Sequence, residues 1–103
     1  MTSVKIYYCH NDISEITVQG HALYDKKGKD VVCAGISSVV IGGFNSLNRN
    51  FKECVSLSID DNIAKLIVIR NSKELQIAIN VIVDQLETIA QSYTKNIKIE
   101  KVV

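Results

Sequence analysis

Several features are missing from the sequence, and each absence excludes a class of protein. Proline and tryptophan are absent, and the 103 residues contain no repeat, linker or low-complexity tract. We therefore expect a single domain spanning residues 1–103. Residues 1–5 do not combine a positive region with a following apolar stretch, so no secretory signal is expected. The longest apolar runs, such as residues 36–44, contain serine and glycine and are too short to cross a bilayer, so no membrane partner is expected.

Cysteine is scarce as well. The three cysteines are an odd number at irregular spacing, which is a poor disulfide framework. A reducing cytoplasm is the simplest interpretation. No pair has the Cys-x-x-Cys spacing of zinc ligands, and we expect no metal and no other cofactor. Cys9 and Cys54 lie in or beside strand patterns, and we predict that each buries its sulfur atom.

An excess of charge of one sign is also missing. Twelve Lys and Arg residues face 11 Asp and Glu residues, which gives a formal net charge of +1. Nucleic-acid-binding domains usually carry a clustered basic excess, whereas the only dense basic group in this sequence is Lys26, Lys27 and Lys29. We therefore expect no direct nucleic-acid partner. The polar stretch 22–29 that contains these lysines is predicted to be an exposed loop that gates access to a site.

The sequence is rich in isoleucine and valine, within an apolar fraction of 47%. Residues branched at Cβ favour strands, and the apolar spacing predicts five strands and two helices. Gly42 and Gly43 predict a kink or a close packing contact in the first helix. Strands are predicted at 4–9 and 16–20, joined by a turn at 10–12, at 55–59 and 63–70, and at the sheet edge in 95–103. The first helix is predicted to follow an Asp30 N-cap, and the second to follow a capping box of Asn71 and Glu74. This β-β-α-β-β-α-β order predicts an α+β fold in which an antiparallel or mixed sheet packs against two helices.

The first predicted helix has a cysteine in its first turn. Cys33 comes three residues after Asp30, where the helix dipole favours negative charge and so stabilises a thiolate. The small residues Ala34 and Gly35 leave room for a substrate backbone, and amides near Cys33 could donate to an oxyanion. His21 follows the second strand and could act as the base for the thiol. Because free cysteines are often simply buried, spacing alone leaves both thiol chemistry and core packing open for Cys33.

A longer motif narrows these alternatives. Gly20-His21-Ala22, followed after a short loop by the residues Asp-Val-Val-Cys-Ala-Gly-Ile-Ser-Ser at 30–38, resembles the ribosomal-processing cysteine protease family, called Prp. The resemblance extends over essentially the whole chain. It implies that His21 and Cys33 form a catalytic dyad. It also implies a homodimeric enzyme that removes a short N-terminal extension from a large-subunit ribosomal protein, cutting an apolar, aromatic-containing peptide before a small residue.

Four further residues are candidates for supporting roles. Asp30 is expected to cap the helix and could also steer His21. Ser37 lies one helical turn after Cys33 and either lines the cleft or faces solvent. Ala34 is a candidate for substrate contact. Gly20 is needed either for backbone shape or for substrate access.

Three functions remain open at this point. The first is a processing protease, and the second is another thiol hydrolase, such as a thioesterase, with the same dyad. The third is a non-catalytic dimeric module that binds a ribosomal protein. A reactive thiol would separate the first two from the third, and cleavage of an extension peptide would separate the protease from the thioesterase.

Overall fold

The fold begins with a β-hairpin. The structure, a computed structural model, describes residues 1–20 and 31–103. Strands β1 (Thr2–Cys9) and β2 (Asp12–Gln19) pair antiparallel. His10 and Asn11, between them, have φ angles of 52° and 71°, as expected for the two central residues of a tight hairpin turn. The predicted turn is confirmed.

Five strands form one mixed sheet. The helix α1 (Val31–Asn50) is followed by β3 (Val55–Asp60) and β4 (Ile63–Val68), and the helix α2 (Lys73–Ser92) is followed by β5 (Ile97–Val102). The strand order is β3-β4-β2-β1-β5. All neighbours are antiparallel except β1 and β5, which are parallel. The predicted element order, the mixed sheet and the edge position of the last strand are confirmed.

The two helices enclose one core with the sheet. α1 and α2 pack against each other, α1 also contacts β3, and α2 contacts β5 and β2. Alternate strand residues point into this core, as the two-residue period requires. The fully buried side chains with the largest volumes include Ile6, Ile13, Ile16, Ile36, Leu47, Leu66, Leu75, Ile79 and Leu86.

The glycine pair in α1 makes a close packing contact. α1 runs as one helix through Gly42 and Gly43. A Cβ atom on Gly43 would lie 2.7 Å from Cδ1 of Ile82 in α2. The absence of a side chain at Gly43 therefore lets the two helices approach, which is one of the two outcomes that the sequence predicted.

The start of α2 differs from the prediction. The N-cap is Ser72, whose hydroxyl accepts a hydrogen bond of 3.1 Å from the Leu75 amide. The capping box of Asn71 and Glu74 was wrong by one position, because the Asn71 side chain is used elsewhere. Its Nδ2 donates to Oδ2 of Asp12 at 2.8 Å, and its Oδ1 accepts from Nε2 of Gln76 at 2.8 Å.

Gln76 joins α2 to the hairpin. This buried side chain accepts a hydrogen bond of 2.9 Å from the Ile13 amide and donates one of 2.8 Å to the Ile13 carbonyl. Both polar atoms of Ile13 at the start of β2 are thereby paired, as buried backbone groups require. The Gln76 contacts fix the end of the sheet at which the β1–β2 turn lies.

β4 is shorter than the strand predicted at 63–70. It ends at Val68, and the amides of Ile69 and Arg70 both donate to the carbonyl of Cys54, at 2.8 and 3.1 Å. The chain turns toward α2 at this point.

α1 is unusually apolar for a surface helix. By length and composition alone it could cross a membrane, with 28% of its most apolar window buried inside the protein. The sequence had predicted no such segment, because serine and glycine break its apolar runs. The same helix supplies five residues of one face to the core (Val32, Ile36, Val40, Phe44 and Leu47).

Candidate active site

Cys33 is the third residue of α1. Its side chain is half-buried and packs against the core, between the buried residues Val32 and Ile36. Its thiol is therefore held at the N-terminal end of a 20-residue helix, where the helix dipole stabilises negative charge. The predicted placement of Cys33 in a first helical turn is confirmed.

The start of α1 lies beside the end of α2. A Cβ atom on Gly35 would lie 3.8 Å from Cδ1 of Ile89. Ile89 is in the last turn of α2, and its carbonyl accepts from the amide of Tyr93 at 3.0 Å. The Tyr93 carbonyl accepts in turn from Asn96 at 2.9 Å, and the Asn96 carbonyl accepts from Thr2 at 2.8 Å. These contacts place the start of β1 at the same end of the molecule as Cys33.

Gly20 also lies at this end. It directly follows β2, and its amide donates a hydrogen bond of 3.0 Å to the carbonyl of Asn62, just before β4. Its φ angle is +142°. A Cβ atom on Gly20 would lie 2.9 Å from both the Met1 carbonyl oxygen and Cα of Thr2. Gly20, the last described residue before the 21–30 segment, is therefore closely packed.

Two of the proposed supporting residues lie on α1 with Cys33. Ala34 is exposed, and Ser37 is half-buried one turn further along the helix. Residues separated by four positions share a helix face, so Cys33 and Ser37 lie on one face. Ala34 offers a small, accessible surface next to the thiol.

His21 and Asp30 lie outside the described residues, as does the predicted gating loop 22–29. The described chain stops at Gly20 and resumes at Val31. Both boundaries belong to the end of the molecule defined above, because Gly20 contacts Thr2 and Val31 begins the helix that carries Cys33.

The other two cysteines differ from each other. All three cysteines carry thiols rather than disulfide bonds. Cys54 is half-buried and packs against the core, whereas Cys9 is exposed. The prediction that Cys9 is buried was therefore wrong, because Cys9 has the outward alternation of Lys5 and Tyr7 along β1. His10 is exposed in the hairpin turn, at the opposite end of β2 from Gly20.

No metal centre is evident in the part of the chain that the structure describes. Within residues 1–20 and 31–103, no three His, Cys, Asp or Glu side chains are grouped closely enough to hold an ion.

Sequence reasoning missed Thr2 and Asn62 as neighbours of Gly20. Thr2 reaches Gly20 across the β1–β2 pairing, and Asn62 reaches it through the β2–β4 pairing. These contacts depend on strand order and register, and the local patterns carry no signal for either.

Comparison with known proteins identifies the family. A model of the family described as cysteine protease Prp matches residues 1–98. This chain belongs to the Prp family. Its activity is therefore that of a cysteine peptidase, and the family resemblance noted in the sequence is confirmed.

Individual Prp proteins agree with this assignment. The ribosomal processing cysteine protease Prp of Mycoplasma genitalium is 36% identical over 86 residues, which cover 84% of this chain and 86% of that protein. Two crystal structures of Prp from Staphylococcus aureus, described as an essential ribosomal processing protease, are also similar. The first, with a covalently linked product peptide, has a TM-score of 0.87 and 27% identity, and covers 98% of this chain and 99% of that one. The second, with a substrate peptide, has a TM-score of 0.84 and 26% identity at the same coverage.

Proposed function

We propose that this Prp protein is an endopeptidase that removes the N-terminal extension of a large-subunit ribosomal protein, using Cys33 as nucleophile and His21 as base. The observation that carries the proposal is the half-buried Cys33 in the first turn of α1, in a chain matched by the Prp family over residues 1–98. A product peptide covalently linked to the similar S. aureus enzyme supports a mechanism with a covalent intermediate.

The chemistry follows from the two side chains. His21 takes the proton of the Cys33 thiol, and the thiolate attacks the carbonyl carbon of the scissile peptide bond. Backbone amides at the start of α1 stabilise the resulting oxyanion. The carbon–nitrogen bond then breaks, and the His21 imidazolium protonates the leaving amine. Water attacks the thioester, which releases the carboxylate product and restores the thiol.

The supporting residues are assigned to the same site. Asp30 caps α1 and steers His21, and Ala34 and Ser37 line the cleft beside the thiol. The half-buried position of Ser37 on the helix face of Cys33 supports this assignment. No cofactor or metal takes part in these steps.

We also propose a cytoplasmic homodimer made of one protease domain per chain, residues 1–103. Its ribosomal substrate is made in the cytoplasm. The apolar, largely unburied α1 supports self-association, because it has no charged residue before Arg49 and exposes Val31 and Ile41. Sedimentation at micromolar concentration would show a dimer, and a clean monomer would overturn this part of the proposal alone.

The decisive experiment is incubation of the purified protein with the extended ribosomal protein. Wild type should release one N-terminal peptide, visible by mass spectrometry, and Cys33→Ala should release none. Cys9→Ser is the matched control, because Cys9 is exposed at the end of β1, beside the hairpin turn and away from Gly20. It should cleave at the wild-type rate, and Cys54→Ser should cleave whenever it folds.

Other outcomes point to other functions. Hydrolysis of small thioesters without peptide cleavage would indicate a thioesterase, and binding of the ribosomal protein without turnover would indicate a non-catalytic module. Loss of cleavage in a folded Cys9→Ser variant would show that Cys33 is the wrong nucleophile.

A further inference from the structure

The two outer strands of the sheet have different edges. Half of the side chains of β5 are charged, namely Lys98, Glu100 and Lys101. Charged side chains on an outer strand discourage pairing with another chain. β3 has no charged residue at positions 55–59, and Ile59 is 47% exposed. The edge of β3 therefore lacks the protection that the edge of β5 has.

The backbone of β3 has polar groups that face away from β4. Asp60 and Ile63 flank a two-residue turn, and residues in these positions form a hydrogen-bonded pair. Because bonded and non-bonded pairs alternate along antiparallel strands, the amides and carbonyls of Leu57 and Ile59 point to the outer edge. Among residues 1–20 and 31–103, no strand lies beside this edge. Its amides can therefore donate to an added strand, and its carbonyls can accept from one.

A groove of about 310 Å³ lies between this edge and α1. It is lined by Phe44, Asn45, Asn48, Leu57, Ser58 and Ile59. We call it the β3 edge groove. Its lining residues are apolar or neutral and polar, so it suits an uncharged segment of chain and offers no partner for an ion.

The groove leads to the proposed nucleophile. At 3.6 residues per turn, Phe44 and Asn48 lie within about 60° of Cys33 around the axis of α1, on one face of the helix. Phe44 is about 16 Å from Cys33 along this axis, which is the length of about five residues of an extended chain. β3 runs in the same direction, because Asp60 pairs with Ile63, whose other partner Gln19 precedes Gly20.

We propose that the β3 edge groove holds an extended segment of the polypeptide substrate, which adds to β3 as a further strand and leads to Cys33. The proposal rests on the cleavage function and the Cys33 nucleophile proposed above. In this mode of recognition, main-chain hydrogen bonds provide affinity and alternate side chains provide specificity. Every second side chain of the segment would face Phe44 and Leu57 and should be apolar, whereas those between them would lie beside Ser58 and can be polar.

The first test is Ile59→Lys, with Ile67→Lys as the matched control. Ile67 is 38% exposed, but it lies on β4, which is paired on both sides. With the extended ribosomal protein as substrate, Ile59→Lys should raise KM at least 10-fold and change kcat less than 3-fold per folded molecule. Ile67→Lys should change neither. The rate of Cys33 alkylation by iodoacetamide should stay at the wild-type value in both variants, because this reagent does not need the groove.

Two results of this test would overturn the proposal. One is an unchanged KM in folded Ile59→Lys. The other is an equal rise of KM in both variants, which would assign the effect to the charge of lysine rather than to the edge of β3.

The second test does not depend on the folding of an edge variant. Cys33→Ala lacks the proposed nucleophile and can be mixed with the extended ribosomal protein without turnover. Amide hydrogen exchange at Leu57 and Ile59 should slow at least 10-fold on binding. The amides of His10 and Asn11, exposed in the turn at the other end of β2, are the control and should not change.

Binding without slower exchange at Leu57 and Ile59 would overturn the proposal. Slow exchange of both amides in the free enzyme, in samples that sediment as a dimer, would assign this edge to a second copy of the chain and would also overturn it.

Failure of the proposed function would have a different signature. It would appear as a wild type that does not cleave the extended ribosomal protein. Slower exchange at Leu57 and Ile59 in the mixture would then still support the groove as a peptide site, whereas the absence of both cleavage and binding would overturn both proposals.

Discussion

The two helices have the same length and contrasting surfaces. Each has 20 residues. α2 has a Ser72 cap, a regular buried stripe and charged residues on its outer face, so its own sequence specifies both its start and its orientation. α1 carries a single charged residue, Arg49, contains the glycine pair and holds Cys33 in its first turn. The contrast indicates that α2 serves the fold, whereas α1 packs into the core and also carries the proposed nucleophile and an exposed apolar surface.

The largest expected effect concerns the thiol in α1. In a Cys9→Ser/Cys54→Ser variant, Cys33 is the remaining thiol, and its alkylation midpoint should lie well below the ordinary thiol pKa of about 8.5, because the helix dipole favours the thiolate and the proposed base His21 would do the same. The measurement is iodoacetamide labelling rate against pH. The reciprocal Cys33→Ser variant is the comparison, and an equal labelling midpoint in both variants would remove the chemical distinction between Cys33 in α1 and the other two cysteines.

The next effect is on the stability provided by α2. Leu86 is 1% exposed, so Leu86→Ala should lower the free energy of unfolding by about 3 kcal/mol through lost burial and a cavity. Turnover per folded molecule should stay at the wild-type value. Ile77→Ala is the control on the same helix, because Ile77 is 59% exposed. Urea denaturation measures both variants, and a loss of kcat in folded Leu86→Ala would show that α2 has more than a structural role.

The adjacent glycines of α1 provide a smaller, internal comparison. Gly42→Ala should stabilise the protein by about 0.5–1 kcal/mol, because alanine loses less backbone entropy and the site is open. Gly43→Ala should destabilise it by about 1 kcal/mol, because the new methyl group meets Ile82. Urea midpoints of the two variants should therefore move in opposite directions. Equal shifts of the two urea midpoints would contradict a close contact between α1 and α2 at Gly43.

The smallest effect is expected at the exposed ion pair between α2 and β5. Nζ of Lys101 lies 3.2 Å from Oε1 of Glu87, and its hydrogen bond and charge interaction with Glu87 raise the pKa of Lys101. Since a raised lysine pKa favours the folded state only while the amine is charged, this contribution is present below about pH 10.5 and is lost above it. Because both side chains are solvent-accessible, Glu87→Gln should cost less than about 0.5 kcal/mol at pH 7. A larger shift in the urea midpoint would contradict this.

Much of the fold could be predicted because its signals are local. Alternation and helical spacing give the element order and the hairpin, and the position of Cys33 in a first helical turn follows from residues 30–36. The capping box was wrong because Asn71 is engaged by Asp12, 59 positions away. The burial of Cys9 was wrong although the alternation of β1 already placed it outward.

The surroundings of Gly20 could not be predicted either, because they depend on contacts between residues that are far apart in the sequence. Met1 and Thr2 approach Gly20 from the β1 side, and Asn62 accepts its amide hydrogen bond from the β4 side. Both contacts depend on sheet order, which is a property of the whole chain. The Gly20-His21-Ala22 motif indicates that glycine is required at position 20. The strand pairing shows the reason, which is the close approach of Met1 and Thr2.

The parallel pairing of β1 with β5 has a consequence for the timing of activity. During synthesis, residues 2–7 leave the ribosome some 95 positions before the residues 97–102 with which they pair. Thr2, which presses on Gly20, is itself held by the carbonyl of Asn96. Because such distant contacts form late, the end of the molecule that carries Gly20 and Cys33 is completed only after β5 has emerged. A nascent chain therefore contains Cys33 well before the strand pairing around Gly20 can be completed.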